Sequence, residues 1–247
     1  MIQGVAFDLG STLLRFNGDM GEILKQSRLA LVEHLLQQGI ALDRGEFLDR
    51  FHQQQLEDHH QRQVDHLERP TATMLQTLLR DLGVPELSQT MLKEAMRCYY
   101  SISERTWQPV EGATQVLEQL TQSGFKLGLI SNAGGGDNVQ RLLETTGLKR
   151  WFDPVIISAQ TLHRKPRREI FQRLLDAWDV PADSTVMVGD SLAEDILGAQ
   201  AVGMHQIWVR QHAMHGLARS FVKPELIADT LLEVPQVVQE LARREAP

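Results

Sequence analysis

The sequence predicts an α/β fold: a Rossmann-like open parallel sheet interrupted by an all-α insertion. Three observations predict it. Short apolar runs bounded by turn residues recur at residues 2–7, 126–130, 155–157, 185–188 and 205–209, as buried strands would. Amphipathic stretches with apolar positions three and four apart lie between them, at 112–123, 137–146, 168–178 and 192–202. Strand and helix alternating at this spacing argue for βαβ units. The stretch 17–103 breaks the rhythm, because it carries helical patterns and no convincing strand.

The insertion accounts for the middle of the chain. Helical periodicity runs through 23–37, 46–58 and 71–82, while Gly39, Gly83-Val84-Pro85 and Pro109 punctuate its helices or its exit. These boundaries predict a core formed by residues 1–16 and 104–247, with an α-helical domain at 17–103 inserted into it. Gly18 or Gly21 on one side and residues 106–109 on the other are plausible hinges. The polar run 52–69 holds His52, His59, His60 and His66, whose near-heptad spacing would suit a cleft lining or a metal site, but the run reads first as a solvated helix face.

Composition narrows the function classes. Of 247 residues, 42% are apolar and 23% charged, which is ordinary for a soluble globular chain with a buried core. A formal charge of −7 gives no general attraction for nucleic acid or an anionic membrane, so an anionic substrate needs locally placed cations or a metal. Cys98 is the only cysteine, which rules out an intrachain disulfide and suits a reducing compartment. With no apolar run of membrane-spanning length and no signal-peptide pattern, the expected place is the cytoplasm.

Four strand ends carry candidate chemistry. The first closes on Val-Ala-Phe-Asp-Leu-Gly-Ser-Thr, which puts Asp8 where open α/β sheets place their ligand crevice. Asp8 can equally be a turn cap. The second closes on Leu-Ile-Ser-Asn, so the Ser131 hydroxyl and the Asn132 backbone N–H can hold a phosphate oxygen, although both are also ordinary turn residues. After the third strand, Pro166 suits a helix's first turn and fixes Lys165 at its entrance, within a stretch that also reads as a basic surface cluster. The fourth closes on Val-Gly-Asp-Ser-Leu-Ala-Glu-Asp, whose Asp190 and Asp195 have the spacing of a hard-cation site. Asp195 can also serve a helix N-terminus.

In this order and placement, the four signals resemble the haloacid dehalogenase (HAD) superfamily over nearly the whole chain. The resemblance implies a hydrolase, a magnesium-dependent phosphatase with a helical cap between the first and second motifs, acting on a small phosphorylated metabolite. It implies that Asp8 is the nucleophile, that Lys165 pairs with Asp8 and the phosphoryl charge, and that Thr12 supports the first loop. Leu9, Gly10, Ser131 and Asn132 would surround the phosphoryl group together with Lys165. Mg2+ would be held by Asp8, the Gly10 carbonyl and Asp190, with Asp195 close by. The cap would govern substrate choice.

One departure bears on mechanism. The family's first motif is usually Asp-x-Asp, whose second acid protonates the leaving group, and this chain has Gly10 there. A substitute acid would have to come from elsewhere, with Asp195 or a cap carboxylate such as Glu22 as candidates. Other readings of the same residues are a haloacid dehalogenase, a phosphonate hydrolase using Lys25 or Lys93, a phosphotransferase, and a non-catalytic binder of phosphometabolites. The paired acids Asp190 and Asp195 count against the dehalogenase, since they would repel a carboxylate substrate.

Overall fold

A computed structural model describes residues 1–213 and 222–244. The chain runs β1 (Gly4–Phe7), β2 (Leu14–Phe16), α1 (Met20–Gln37), α2 (Arg44–Asp65), α3 (Thr71–Asp81), α4 (Gln89–Glu104) and β3 (Trp107–Pro109). It continues through α5 (Ala113–Gln122), β4 (Lys126–Ser131), α6 (Gly136–Thr145), β5 (Val155–Ile157), α7 (Ser158–Thr161), α8 (Arg168–Trp178) and β6 (Thr185–Gly189). A π-helical turn, Leu192–Ile196, then leads into α9 (Leu197–Val202), β7 (His205–Val209), β8 (Leu226–Ala228) and α10 (Val234–Arg244).

Six strands form one parallel sheet in the order β5-β4-β1-β6-β7-β8 among the described residues. The α/β Rossmann-like core expected from the sequence is therefore present, with β1 between β4 and β6. Alternate residues of each strand serve opposite layers, as the two-residue repeat of a strand requires. Val5, Phe7, Leu129 and Val188 pack with α5, α6 and α10, while Ala6, Ile130 and Met187 pack with α8 and α9. Helix α8 lies so close to the sheet that a Cβ on Gly4 or Gly128 would come within 2.5 or 2.7 Å of the Trp178 ring. The two glycines, on the neighbouring strands β1 and β4 and two register positions apart, make that approach possible.

Between β2 and β3 the chain is helical throughout its regular structure. Helices α1 to α4 bury their apolar faces against each other, with Leu31, Phe47, Phe51, Leu75, Leu79 and Tyr99 at the centre of a cluster separate from those of the sheet. Asp19, Asp43 and Ser88 cap α1, α2 and α4 by accepting from the backbone N–H three residues on. The antiparallel ribbon β2–β3 carries the chain into and out of these helices, so residues 107–109 are paired to 14–16.

The helices also touch the sheet's loops directly. Residues 66–68 form an antiparallel bridge with 162–164, in which Glu68 N–H donates to the Leu162 carbonyl (3.0 Å) and Arg164 N–H to the His66 carbonyl (3.0 Å). Thr71 N–H donates to the Gly134 carbonyl at 2.9 Å. Sequence periodicity missed β8 and the β2–β3 ribbon, whose strands have three residues each and are too short to show a repeat.

Candidate active site

Strand order decides what meets at the sheet's carboxyl edge. Asp8 directly follows β1, Ser131 ends β4 and Asp190 follows β6, so the β4-β1-β6 order sets them side by side. Lys165 reaches the same place from the loop before α8. Its ammonium lies 2.5 Å from Asp8 Oδ1, 2.7 Å from Asp195 Oδ1 and 2.8 Å from the Ile130 carbonyl, with the side chain 1% exposed.

The local sequence holds each group in place. Asn132 clamps the second loop to the third: its Oδ1 accepts from Lys165 N–H (2.8 Å) and its Nδ2 donates to the Lys165 carbonyl (3.1 Å). Gly189 leaves room for Asp195 to fold back, since a Cβ there would lie 2.3 Å from the Asp195 carboxyl carbon. Asp195 Oδ2 in turn accepts from Ser191 N–H at 3.0 Å. Trp208 Nε1 donates to the Asp190 carbonyl (2.8 Å), and the buried Thr12 hydroxyl lies 3.4 Å from Asp190 Oδ1.

The charges do not balance. One oxygen from each of Asp8, Asp190 and Asp195 lies within 4.8 Å of the others, and Lys165 supplies one cation against three carboxylates. Burial pushes the Asp8 carboxyl up to about 7, with Lys165 pulling down and Asp195 adding to the rise. Burial, then Asp8 and Asp195, push Asp190 to about 8. Burial alone would lower the Lys165 ammonium, but Asp195 and Asp8 outweigh it and raise it above its ordinary value. A hard divalent cation fits this donor set: it would supply the missing positive charge to oxygen ligands that otherwise hold protons.

Above this cluster is a cavity of about 720 Å³. Asp8, Leu9, Gly10, Ser131, Asn132, Asp190 and Asp195 line its floor, while Leu14, Trp107, Val139 and Leu142 form an apolar wall. The α2 side contributes His59, Arg62, Gln63 and His66, joined by Arg164. The structure thus brings the sequence-predicted site residues to one place, with Thr12 and Lys165 packed beneath the cavity.

The histidine run divides between the two readings, solvated face and cleft lining. His52 and His60 are exposed, in keeping with a solvated face, but His59 and His66 line the cavity. Positions 59, 62 and 63 fall at i, i+3 and i+4, a polar stripe on one face of α2 that marks a surface turned toward a polar space, and His66 follows as the helix's C-cap with φ 52°. Trp107 had no such signal.

Gly10 is not in the left-handed region, although Ser11 beside it is, with φ 60°. A Cβ on Gly10 would lie 3.4 Å from the Trp107 ring, so the indole occupies the space next to the absent acid. Neither suggested substitute acid is placed to protonate a leaving group. Asp195 is held between Lys165 and Ser191 N–H, and Glu22 is exposed, bonded to Gln26 and outside the cavity lining.

Comparison with known proteins places this chain in a family. Residues 39–209 match the sequence profile of the haloacid dehalogenase-like hydrolases. A glyceraldehyde 3-phosphate phosphatase of Pyrococcus abyssi is 27% identical over 210 residues, covering 85% of this chain and 82% of that protein. Its counterpart in Pyrococcus furiosus is 25% identical over 242 residues, 98% of this chain and 94% of that one. Among solved structures, a 2-haloacid dehalogenase from Pseudomonas syringae superposes with a TM-score of 0.70 at 24% identity, covering 97% of this chain and 99% of that one. A HAD phosphatase from Thermococcus onnurineus gives 0.62 at 23% identity, with 96% and 98% covered. With a profile match over more than half its length, the chain belongs to the haloacid dehalogenase-like hydrolase family.

Proposed function

We propose that this hydrolase is a magnesium-dependent phosphomonoesterase that works through an aspartyl-phosphate on Asp8 and acts on a small phosphorylated metabolite. The observation that carries this reading is the gathering of three carboxylates, Asp8, Asp190 and Asp195, around the single ammonium of Lys165. Such a donor set suits a divalent cation, which a haloacid dehalogenase would not need. A cation bound there would receive a phosphoryl oxygen. The phosphatase names of the relatives agree.

In the first step an Asp8 carboxylate oxygen attacks phosphorus, the ester P–O bond breaks and the leaving group departs with the electron pair as an alkoxide or aryloxide, which takes its proton from water. Lys165 keeps its ammonium against Asp8 and offsets the charge gathering on the phosphoryl oxygens. Ser131 and the Asn132 N–H hold those oxygens, and the Asn132 side chain keeps the second and third loops in register. Water then attacks the aspartyl-phosphate, breaking the new P–O bond and restoring Asp8. Mg2+, held by Asp8, the Gly10 carbonyl and Asp190 with Asp195 close by, would neutralise phosphoryl charge and align it with the nucleophile.

Residues 17–103 act as a cap over a core of 1–16 and 104–247. Support for this comes from the separate apolar cluster of α1 to α4 and from the cavity residues that α2 contributes. The test is p-nitrophenyl phosphate hydrolysis with Mg2+, with excess chelator, and in Asp8→Asn. Turnover should require both the metal and the carboxylate. Undiminished turnover in the variant, or halide release from a 2-haloacid without metal, would refute the reading.

A further inference from the structure

We propose that the cavity selects phosphomonoesters whose leaving group is uncharged, and that buried Glu68 sets this preference by neutralising the arginines facing the substrate. The proposal rests on the phosphatase reading above and adds a substrate class to it. Arg62 and Arg164 line the cavity together with Asp8, where free guanidinium groups would recruit a second anionic group on the substrate. Neither is free. Arg62 pairs with Asp58 and lies 3.6 Å from Glu68, while Arg164 lies 2.5 Å from Glu68 and 3.8 Å from Glu194. Arg69, the third guanidinium of the group, pairs with Asp65 and lies 3.7 Å from Asp58.

Three guanidinium groups therefore face four carboxylates, Asp58, Asp65, Glu68 and Glu194. The balance is fixed because the acids that matter cannot swing away. The side chains of Glu68 and Asp58 are 0% and 4% exposed. Ser158 Oγ donates to Glu68 Oε2 at 2.5 Å while accepting from Ala133 N–H at 2.8 Å, and the Glu68 backbone is bridged to Leu162. What remains for a leaving group holds no arginine: the His59 and His66 rings, the Gln63 and Asn138 amides and the apolar wall at Trp107 and Leu142. An alcohol or aldehyde suits that surface. A carboxylate would meet a surplus carboxylate with no unpaired guanidinium to receive it.

Glyceraldehyde 3-phosphate and 3-phosphoglycerate test this, since they share a skeleton and differ by an aldehyde against a carboxylate. The wild type should favour the aldehyde in kcat/KM by about tenfold or more, the effect of one like charge a few ångströms away at an intermediate dielectric. Glu68→Gln removes one carboxylate and frees a guanidinium, so relative use of 3-phosphoglycerate should rise about tenfold. Arg62→Gln removes a cation and should shift the ratio the other way, which loosened packing alone would not do. If turnover of either compound is too slow, competitive inhibition of p-nitrophenyl phosphate hydrolysis gives the same ratio.

The p-nitrophenyl phosphate rate separates the two levels of the argument. No hydrolysis of it by the wild type with Mg2+ defeats the phosphatase reading. Hydrolysis by a wild type that prefers 3-phosphoglycerate overturns the neutral-leaving-group proposal, and shifts of one sign in both variants overturn the role of Glu68. Should Glu68→Gln fail to fold, the wild-type ratio and the Arg62→Gln shift still decide.

Discussion

Replacing Gly10 by aspartate tests how this site manages without the usual acid. General acid assistance is worth ~10²–10⁴-fold, or roughly 3–5 kcal/mol of barrier. The benefit depends on the leaving group: p-nitrophenolate departs unaided, whereas a sugar or glycerol alkoxide needs a proton. Gly10 lies outside the left-handed region, so an L side chain meets no backbone penalty there. The obstacle is Trp107, whose ring would lie 3.4 Å from the new Cβ and is itself packed edge-on against Phe16 at 5.2 Å. Shifting the indole should cost about 1–3 kcal/mol of stability, as overpacking does. That is a loss in Tm and not in the chemical step. Gly10→Ala carries the same contact without the acid and serves as the control.

The expected result has three parts. Wild type turns over p-nitrophenyl phosphate much faster than glycerol phosphate. Gly10→Ala leaves their ratio unchanged, and Gly10→Asp raises the glycerol phosphate rate at least ~10-fold more than the aryl rate. The assay is steady-state kcat/KM for both esters, after circular dichroism and Mg2+ titration show a folded, metal-competent variant. A competent Gly10→Asp with no leaving-group dependence, beside a wild type already fast on glycerol phosphate, would refute the reasoning. A substitute acid would then have to be sought among His59, His66 and Glu194, which line the cavity.

Asp190→Asn should weaken Mg2+ binding and recover activity as Mg2+ is raised; an unchanged metal requirement would remove Asp190 from the ligand set. In the metal-free protein, Asp8 and Asp190 titrate near 7 and 8 against a reference of 3.8. Between those values the folded state binds more protons than the unfolded one, so these groups' contribution to metal-free stability falls as pH rises from about 4 to 8. Mg2+ must displace the same protons, so its apparent affinity should rise as pH increases from 6 to 8, by up to about tenfold per pH unit for each proton released. A pH-independent affinity by calorimetry would contradict that linkage. Gly128→Ala would force a methyl to 2.7 Å from the Leu174 and Trp178 side chains and should lower stability by about 1–3 kcal/mol, read as a Tm drop of several degrees.

The sheet was legible because its signals are local. Strands buried on both faces read as continuous apolar runs, and Val-Ala-Phe-Asp or Val-Met-Val-Gly-Asp states in one short window both the strand and the acid at its end. Parallel packing then brings those ends together without further instruction. The elements that escaped notice lack this redundancy. Strand β8 has three residues, with Ile227 half exposed, so neither apolar continuity nor alternation could develop. The π-helical turn at Leu192–Ile196 passed as an ordinary helix start, because its side-chain pattern differs from an α-helix by a single residue.

The cavity's far side was harder to read for a different reason: its character comes from ion pairs between distant parts of the chain. Arg62 and Arg164 looked like ordinary charges of a polar helix and a basic loop, and in isolation either would suit a phosphate or a carboxylate. Their meaning depends on Glu68, which is separated from Arg164 by 96 positions and joined to it by the bridge between 66–68 and 162–164. That bridge immediately precedes Lys165, the cation that touches Asp8. The loop that delivers the lysine to the nucleophile is thus also the loop that anchors the helical segment, through one carboxylate. The position of the helices over the floor and the charge that the leaving group meets are therefore set together, and a substitution at Glu68 should disturb specificity before it disturbs attack by Asp8.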